Sequence, residues 1–294
     1  GLTCGGTIEL FLRHHDPTTE PWLEPALADA AGGRAVAMAT IVHGPETHLG
    51  RAIVVRPGGS VAGTLGDELL DQVAEAQTTG ALHAGRTGTL ELGMADSYCR
   101  EPMTLLVESS SPPPRMLVFG AIDHAAALAR LGSFLGYQVT VCDARATFAT
   151  PERFPDDAEV VVEWPHRYLG SQAEAGLLDQ RTVVCVLTHD PKFDLPLLTA
   201  ALRMPVAYVG AMGSRRTHEE RLARLRDAGL TGGELDRLHS PIGLDLGART
   251  PQETALSIAA EVIAHRHGGS GAPLSTGVPI HHSAPSTGAL AFSS

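Results

Sequence analysis

Apolar positions along this chain follow two different rhythms. Over residues 115–267, short and nearly unbroken apolar runs alternate with amphipathic stretches. Residues 115–120, 138–142, 159–162, 182–187 and 205–208 read as strands, and residues 123–135, 194–202 and 215–228 as helices. Apolar strands separated by helices predict a parallel sheet covered on both faces. A final helix has a strong start, with Thr250 as cap, Pro251 at its first position and Glu253 three residues after the cap. It is expected to run to His267.

Residues 1–108 pattern differently. Residues 35–42 and 51–56 read as strands around a turn, and 67–78 as a helix, which predicts a smaller α+β domain. A faint echo runs through this region. Cys4 is followed by Ile8, Leu10 and Leu12, and Cys99 at the same intervals by Met103, Leu105 and Val107. The echo predicts a duplication of which the chain carries only the end of the first copy. Three serines and three prolines at 109–114 can continue neither a helix nor a central strand, so a linker is expected there. From Gly268 the chain is rich in Gly, Ser, Pro and His, predicting a mobile tail over 268–294. The expected class is α/β, a C-terminal Rossmann-like parallel-sheet domain over 115–267 plus the smaller N-terminal domain.

Composition narrows the function. The 294 residues carry a net charge of −11, which argues against sequence-independent binding to nucleic acid or to an anionic membrane. No apolar run reaches the length of a membrane span. The chain opens Gly1-Leu2-Thr3-Cys4, with neither an initiator methionine nor the basic start of a secretory signal. Cys142 and Cys185 lie in apolar strand patterns as reduced core residues, and the cytoplasm is the expected compartment. The adjacent His281 and His282 are too few for a metal site.

The most informative stretch is residues 206–216, a short strand, a turn with Gly210 and Gly213, then a charged helix opened by Ser214, Arg215 and Arg216. Free amides at a helix start, a hydroxyl and two guanidinium forks suit a phosphate. The alternative is a turn made for packing alone. Gly120-Ala121-Ile122 after the first parallel strand stands where a dinucleotide fingerprint would, and Asp143 ends the next strand, where a ribose-binding acid belongs. Ile122 replaces the second glycine of that fingerprint and fills the space of an approaching pyrophosphate. Asp143 with Arg145 is left as a possible ribose or purine contact. Thr188, His189 and Asp190 fall at the carboxyl edge of the sheet, either as ligands or as caps of the next turn. Asp245, between Gly243 and Gly247, is a candidate to hold Arg215 or Arg216 in place. Cys4, beside Gly5 and Gly6, sits in an unhindered context where a thiolate can accept sulfur or ligate a soft metal.

Taken together, residues 1–6, 118–129, 188–190, 208–216 and 241–257 resemble the XdhC/CoxI family, accessory proteins of molybdenum hydroxylases such as xanthine dehydrogenase and carbon monoxide dehydrogenase. The resemblance spans nearly the whole chain, except for the part that in the family precedes the Thr-Cys-Gly-Gly segment. It implies a Rossmann-like C-terminal domain and a maturation chaperone without turnover of its own. Such a protein binds the molybdenum cofactor (molybdopterin) as cargo, protects it, supports its sulfuration with a cysteine desulfurase and aids its insertion into the client molybdenum hydroxylase. In that reading Gly210, Gly213, Ser214, Arg215 and Arg216 hold the phosphate and Cys4, with Gly5 and Gly6, meets the metal–sulfur end. Gly120, Asp143, Thr188, His189, Asp190 and Asp245 line or support the cleft. Two other readings stay open: an NAD(P)-dependent oxidoreductase using Gly120 and Asp143, and a scaffold that docks to a molybdoenzyme with no cofactor. A homodimer is the prior for its assembly.

Overall fold

The computed structural model describes residues 10–92 and 102–276. Cys4, Gly5, Gly6, Cys99, His281 and His282 therefore lie outside the described residues. Of the echo around Cys4, Leu10 and Leu12 are described and lie exposed in an irregular segment, whereas Met103, Leu105 and Val107 fall in a strand, so the expected matching strand is not formed at residues 10–12. The described residues divide into two compact units between Pro112 and Pro113.

In the first unit, helix α1 (Leu23–Ala31) precedes strands β1 (Val36–His43), β2 (Ala52–Arg56) and β3 (Ser60–Thr64). Helix α2 (Glu68–Ala84) follows, then β4 (Gly88–Leu92) and β5 (Met103–Ser110). The strands form an antiparallel sheet in the order β3-β2-β1-β5-β4. Alternate residues Ala37, Ala39 and Ile41 of β1 and Leu105 and Val107 of β5 pack against Leu70, Ala74 and Ala81 of α2. Asp67 caps α2 by accepting the N–H groups of Leu69 and Leu70.

The expected linker is partly strand. β5 pairs Ser109 with Ala37 and Ser110 with Val36, so the sheet holds two serines that composition alone assigned to a connector.

The second unit holds β6 (Arg115–Phe119), α3 (Asp123–Phe134), β7 (Gln138–Asp143), β8 (Glu159–Val162), α4 (Pro165–Glu174), β9 (Val183–Val186) and α5 (Pro191–Ala201). Then come β10 (Tyr208–Ala211), α6 (Arg215–Asp227), the short α7 (Gly232–Leu235), β11 (Leu238–His239) and α8 (Pro251–His267). All six strands are parallel, in the order β11-β10-β9-β6-β7-β8. This is the doubly wound order, with its reversal between β6 and β9.

Side-chain alternation assigns the two faces. Met116, Val118, Val139, Val141 and Cys185 point to α3 and α8, while Leu117, Phe119, Val184 and Val186 point to α4, α5 and α6. α8 starts with the expected capping box between Thr250 and Glu253. One strand is displaced from its expected place. β10 begins at Tyr208 rather than Pro205 because its pairing with β9 runs from Tyr208↔Val183 to Ala211↔Val186. Gly210 therefore lies inside a buried strand, not in a turn.

Burial pushes the Cys142 thiol up to about 12 and raises that of Cys185 well above its usual range. In a Cys4→Ser/Cys99→Ser variant, the native protein is expected to show no reaction with a thiol reagent near neutral pH. Two thiols should appear only on unfolding, and rapid native labelling of either would show that these strands open locally.

Candidate functional site

Parallel strands deliver their following loops to one edge, and the second unit gathers most of the singled-out residues there. Gly120 and Ile122 follow β6, Asp143 ends β7, Thr188, His189 and Asp190 follow β9, and Gly213 to Arg216 follow β10. Three strand spacings separate the β10 corner from Asp143, about 14 Å.

At the reversal, Gly120 has φ +106, and a β-carbon there would meet Thr188 Cγ2 at 2.8 Å and Thr188 N at 3.1 Å. The glycine is required because two loops touch across the crevice. Thr188 is buried, and its hydroxyl donates to Asp194. Asp194 also accepts from Arg221 Nη2 at 3.2 Å, and Arg221 further donates to the Met212 carbonyl at 2.9 Å and to Ser240 Oγ at 2.9 Å. One buried ion pair thus ties together the loops after β9, β10 and β11. Burial raises the Asp194 carboxyl above its usual range, against the opposing pull of Thr188 and Arg221. Pattern reading missed both residues: Arg221 on the polar α6 looks like part of a solvated face, and Asp194 in the first turn of α5 looks like an ordinary helix-start acid until the fold buries them together.

The Gly210–Arg216 corner splits into three roles. A β-carbon on Gly210 would lie 2.5 Å from Ile242 Cδ1, so this glycine makes room for the loop after β11. Gly213 has a positive φ, with Thr217 and Arg221 beneath it. Ser214 caps α6 by accepting the Thr217 N–H at 3.1 Å, and its hydroxyl also meets that of Thr217. The amides of Arg215 and Arg216 have no acceptor within the helix. The two guanidinium groups differ. Arg216 is 88% exposed and pairs with Glu220 one turn on, whereas Arg215 is exposed with no ion-pair partner among the described residues. His218, in the same turn, was not singled out; burial and the neighbouring Arg221 lower its pKa, which keeps it neutral near pH 7.

Asp190 caps α5 by accepting the Lys192 N–H at 3.0 Å, and His189 beside it is exposed. Asp245 is also exposed and forms no ion pair with Arg215 or Arg216. What secures its loop is Glu261 of α8, which accepts the Gly243 N–H at 2.6 Å, together with Ser257, which donates to the Leu244 carbonyl. The loop that carries Asp245 is thus secured by α8, and neither arginine is held through it.

Asp143 is buried and fully engaged. Its Oδ1 accepts the Arg145 N–H and Nε, each at 2.9 Å, and its Oδ2 accepts the Ala121 N–H at 2.8 Å and Arg145 Nη2 at 2.7 Å. Burial alone would raise this carboxyl, but these donors outweigh it and hold it below the ordinary carboxylate range. Arg153 completes the turn, donating to the Ala121 carbonyl at 3.0 Å and pairing with Asp123 at 2.9 Å.

The comparisons with known proteins agree with this architecture. Residues 116–262, half of the chain, match the model of the XdhC Rossmann domain, and residues 30–93 match that of the XdhC and CoxI family. The chain belongs to the XdhC and CoxI family. It is 29% identical over 236 residues to the uncharacterized protein YqeB of Escherichia coli strain K12, covering 77% of this chain and 43% of that protein. It is 27% identical over 162 residues to a protein of Bacillus subtilis strain 168 named as a probable xanthine dehydrogenase subunit, covering 55% and 46%. It is 31% identical over 155 residues to the molybdenum cofactor insertion chaperone PaoD of Escherichia coli strain K12, covering 53% and 41%. The matches thus span less than half the length of these family relatives. A solved structure titled as a xanthine dehydrogenase from Bacillus halodurans aligns at 18% identity, covering 84% of this chain and 96% of that one, with a TM-score of 0.47.

Two outcomes test the polar framework. Asp194→Ala is expected to destabilise the protein by about 3–5 kcal/mol by stranding a buried guanidinium, and Asp194→Leu with Arg221→Met by clearly less than the two single changes together; additivity in denaturant unfolding would show that the pair is uncoupled. Asp143→Asn should cost about 2–3 kcal/mol near pH 7. Because the folded carboxyl titrates below its unfolded value, that stabilisation is complete above the unfolded pKa near about 4 and lost as pH falls through the folded one. The gap between variant and wild type should therefore close in acid, and a gap independent of pH would refute the charge assignment.

Proposed function

We propose that the protein is a maturation factor that binds the phosphorylated pterin of the molybdenum cofactor, molybdopterin, at the carboxyl edge of its parallel sheet. Family membership and the likeness to a protein named as a molybdenum cofactor insertion chaperone support the class. The observation that carries the site is the start of α6, where two uncommitted amides stand beside Arg215, a guanidinium without an internal carboxylate partner among the described residues. Gly213 leaves the backbone there uncovered by a side chain of its own.

Among the described residues no three His, Cys, Asp or Glu side chains gather as a metal site. In this reading the α6 corner takes the phosphate of the cargo, and its metal–sulfur end is left to other groups. Cys4 of the Thr-Cys-Gly-Gly segment is assigned that role in this reading. His189 and Asp190, at the adjoining loop, would line the pterin. The client is a molybdenum hydroxylase of the xanthine dehydrogenase or carbon monoxide dehydrogenase type, and a cysteine desulfurase supplies the sulfur for the cofactor's sulfuration. The chain itself acts as carrier and shield, in the cytoplasm where those enzymes mature.

The two neighbouring arginines separate the readings of this corner. After co-expression with the cofactor pathway, pterin released from the purified protein should fall at least about tenfold in Arg215→Ala, the loss of one charge-assisted contact. It should stay within about twofold in Arg216→Ala, whose guanidinium is solvated and already paired. Equal retention by wild type and both variants would remove the phosphate from this corner.

A further inference from the structure

We propose that Arg145 is a specificity-determining residue that closes the adenosine half of the Rossmann site from within. The inference does not depend on the pterin reading, since it concerns the opposite half of the sheet edge.

A dinucleotide-binding sheet of this order places a carboxylate at the tip of its second strand to accept the ribose hydroxyls. Asp143 occupies that position at the end of β7, next to the Gly120 turn. A carboxylate offers about four acceptor sites. All four are taken here by the Ala121 N–H and by the Arg145 N–H, Nε and Nη2. A ribose diol would find no acceptor left, and the Asp143 side chain is only 2% exposed. Three of the four donors come from one residue two positions along the chain, so the closure is local and preformed.

The plug is itself held. The Arg145 guanidinium lies over the Phe148 ring at 4.3 Å from its centroid, and its side chain is 43% exposed, so it forms the solvent-facing lid of the position. Its bidentate grip on Asp143 is the planar, fork-shaped pairing that a lysine cannot reproduce. Ile122 then occupies the place of the fingerprint's second glycine and packs against the core on the α3 side, so the open backbone that a glycine would offer a pyrophosphate is missing as well. The domain keeps the dinucleotide-binding architecture and refuses adenine dinucleotides, which leaves the β9–β10 side of the edge for other cargo.

The test titrates the full-length protein with AMP, whose ribose is free and which lacks the pyrophosphate that would meet Ile122. Ligand-observed NMR reads weak binding directly. Wild type is expected to show no saturable binding. Arg145→Ala and Arg145→Gln, checked for native circular dichroism, should bind AMP saturably, at least about tenfold more tightly than the limit the wild-type titration sets. The gain should vanish with 2′-deoxy-AMP and in Arg145→Ala/Asp143→Asn, because it requires both the hydroxyl and its acceptor. Saturable binding of AMP by wild type overturns the proposal, and this arm needs no variant to fold. Saturable binding of adenosine 2′-monophosphate by wild type also overturns it, because Arg145 would then read a phosphate instead of filling a ribose position. Folded Arg145 variants with no gain, or a gain indifferent to the 2′-hydroxyl, overturn it equally.

Discussion

The second unit depends on the close approach of two loops where its sheet reverses. Strands β6 and β9 are neighbours whose chains leave in opposite directions, and Gly120 lies against Thr188 with no room for a β-carbon between them. That contact fixes where both loops end. The Phe119 carbonyl accepts the Leu187 N–H at 2.8 Å, and the Gly120 N–H reaches the Cys142 carbonyl at 2.9 Å, so pairing continues to the lip of the crevice.

From there the edge divides into halves with different chemistry. Around β9, β10 and β11, a buried Asp194–Arg221 pair reaches three loops and leaves the α6 amides and Arg215 facing outward. Around β6 and β7 the charges pair close by instead, the buried Asp143 with Arg145 and the exposed Asp123 with Arg153. A buried ion pair adds little net stability over a well-packed apolar substitute, but removing one partner is costly. The Asp194–Arg221 pair therefore matters for holding one loop arrangement, and the Asp143–Arg145 pair for what the edge admits.

Legibility in the sequence followed the strength of local signals. The strands of the parallel sheet were readable because burial on both faces demands unbroken apolar runs, as in Val183–Val186. α8 was readable because Thr250, Pro251 and Glu253 satisfy its orphan amides within four residues. β3 and α4 were not, since Ser60–Thr64 is a largely exposed edge and α4 buries only Pro165, Tyr168 and Leu169 of a polar stretch. Gly210 was misplaced for a related reason: a glycine in a strand looks like a turn until Ile242, thirty-two residues later, is seen to fill the space.

The amino-acid order by itself determined the alternation of strands and helices, the cap of α8, the family resemblance and the cluster of glycine, serine and arginine after β10. These depend on contacts within a few residues, or on patterns that any burial of that periodicity requires. Only the tertiary structure decided which charges are free. Arg215 and Arg216 each stand four residues before a glutamate on α6, yet among the described residues only Arg216 forms the ion pair, with Glu220. Asp143 has the position of a ribose acid, but its acceptor sites are filled by Arg145 and by an amide twenty-two residues away on another strand's loop. The Arg145 contacts are local, but the last acceptor site of Asp143 is filled only when the β6 and β7 loops are brought together, and no local spacing encodes that.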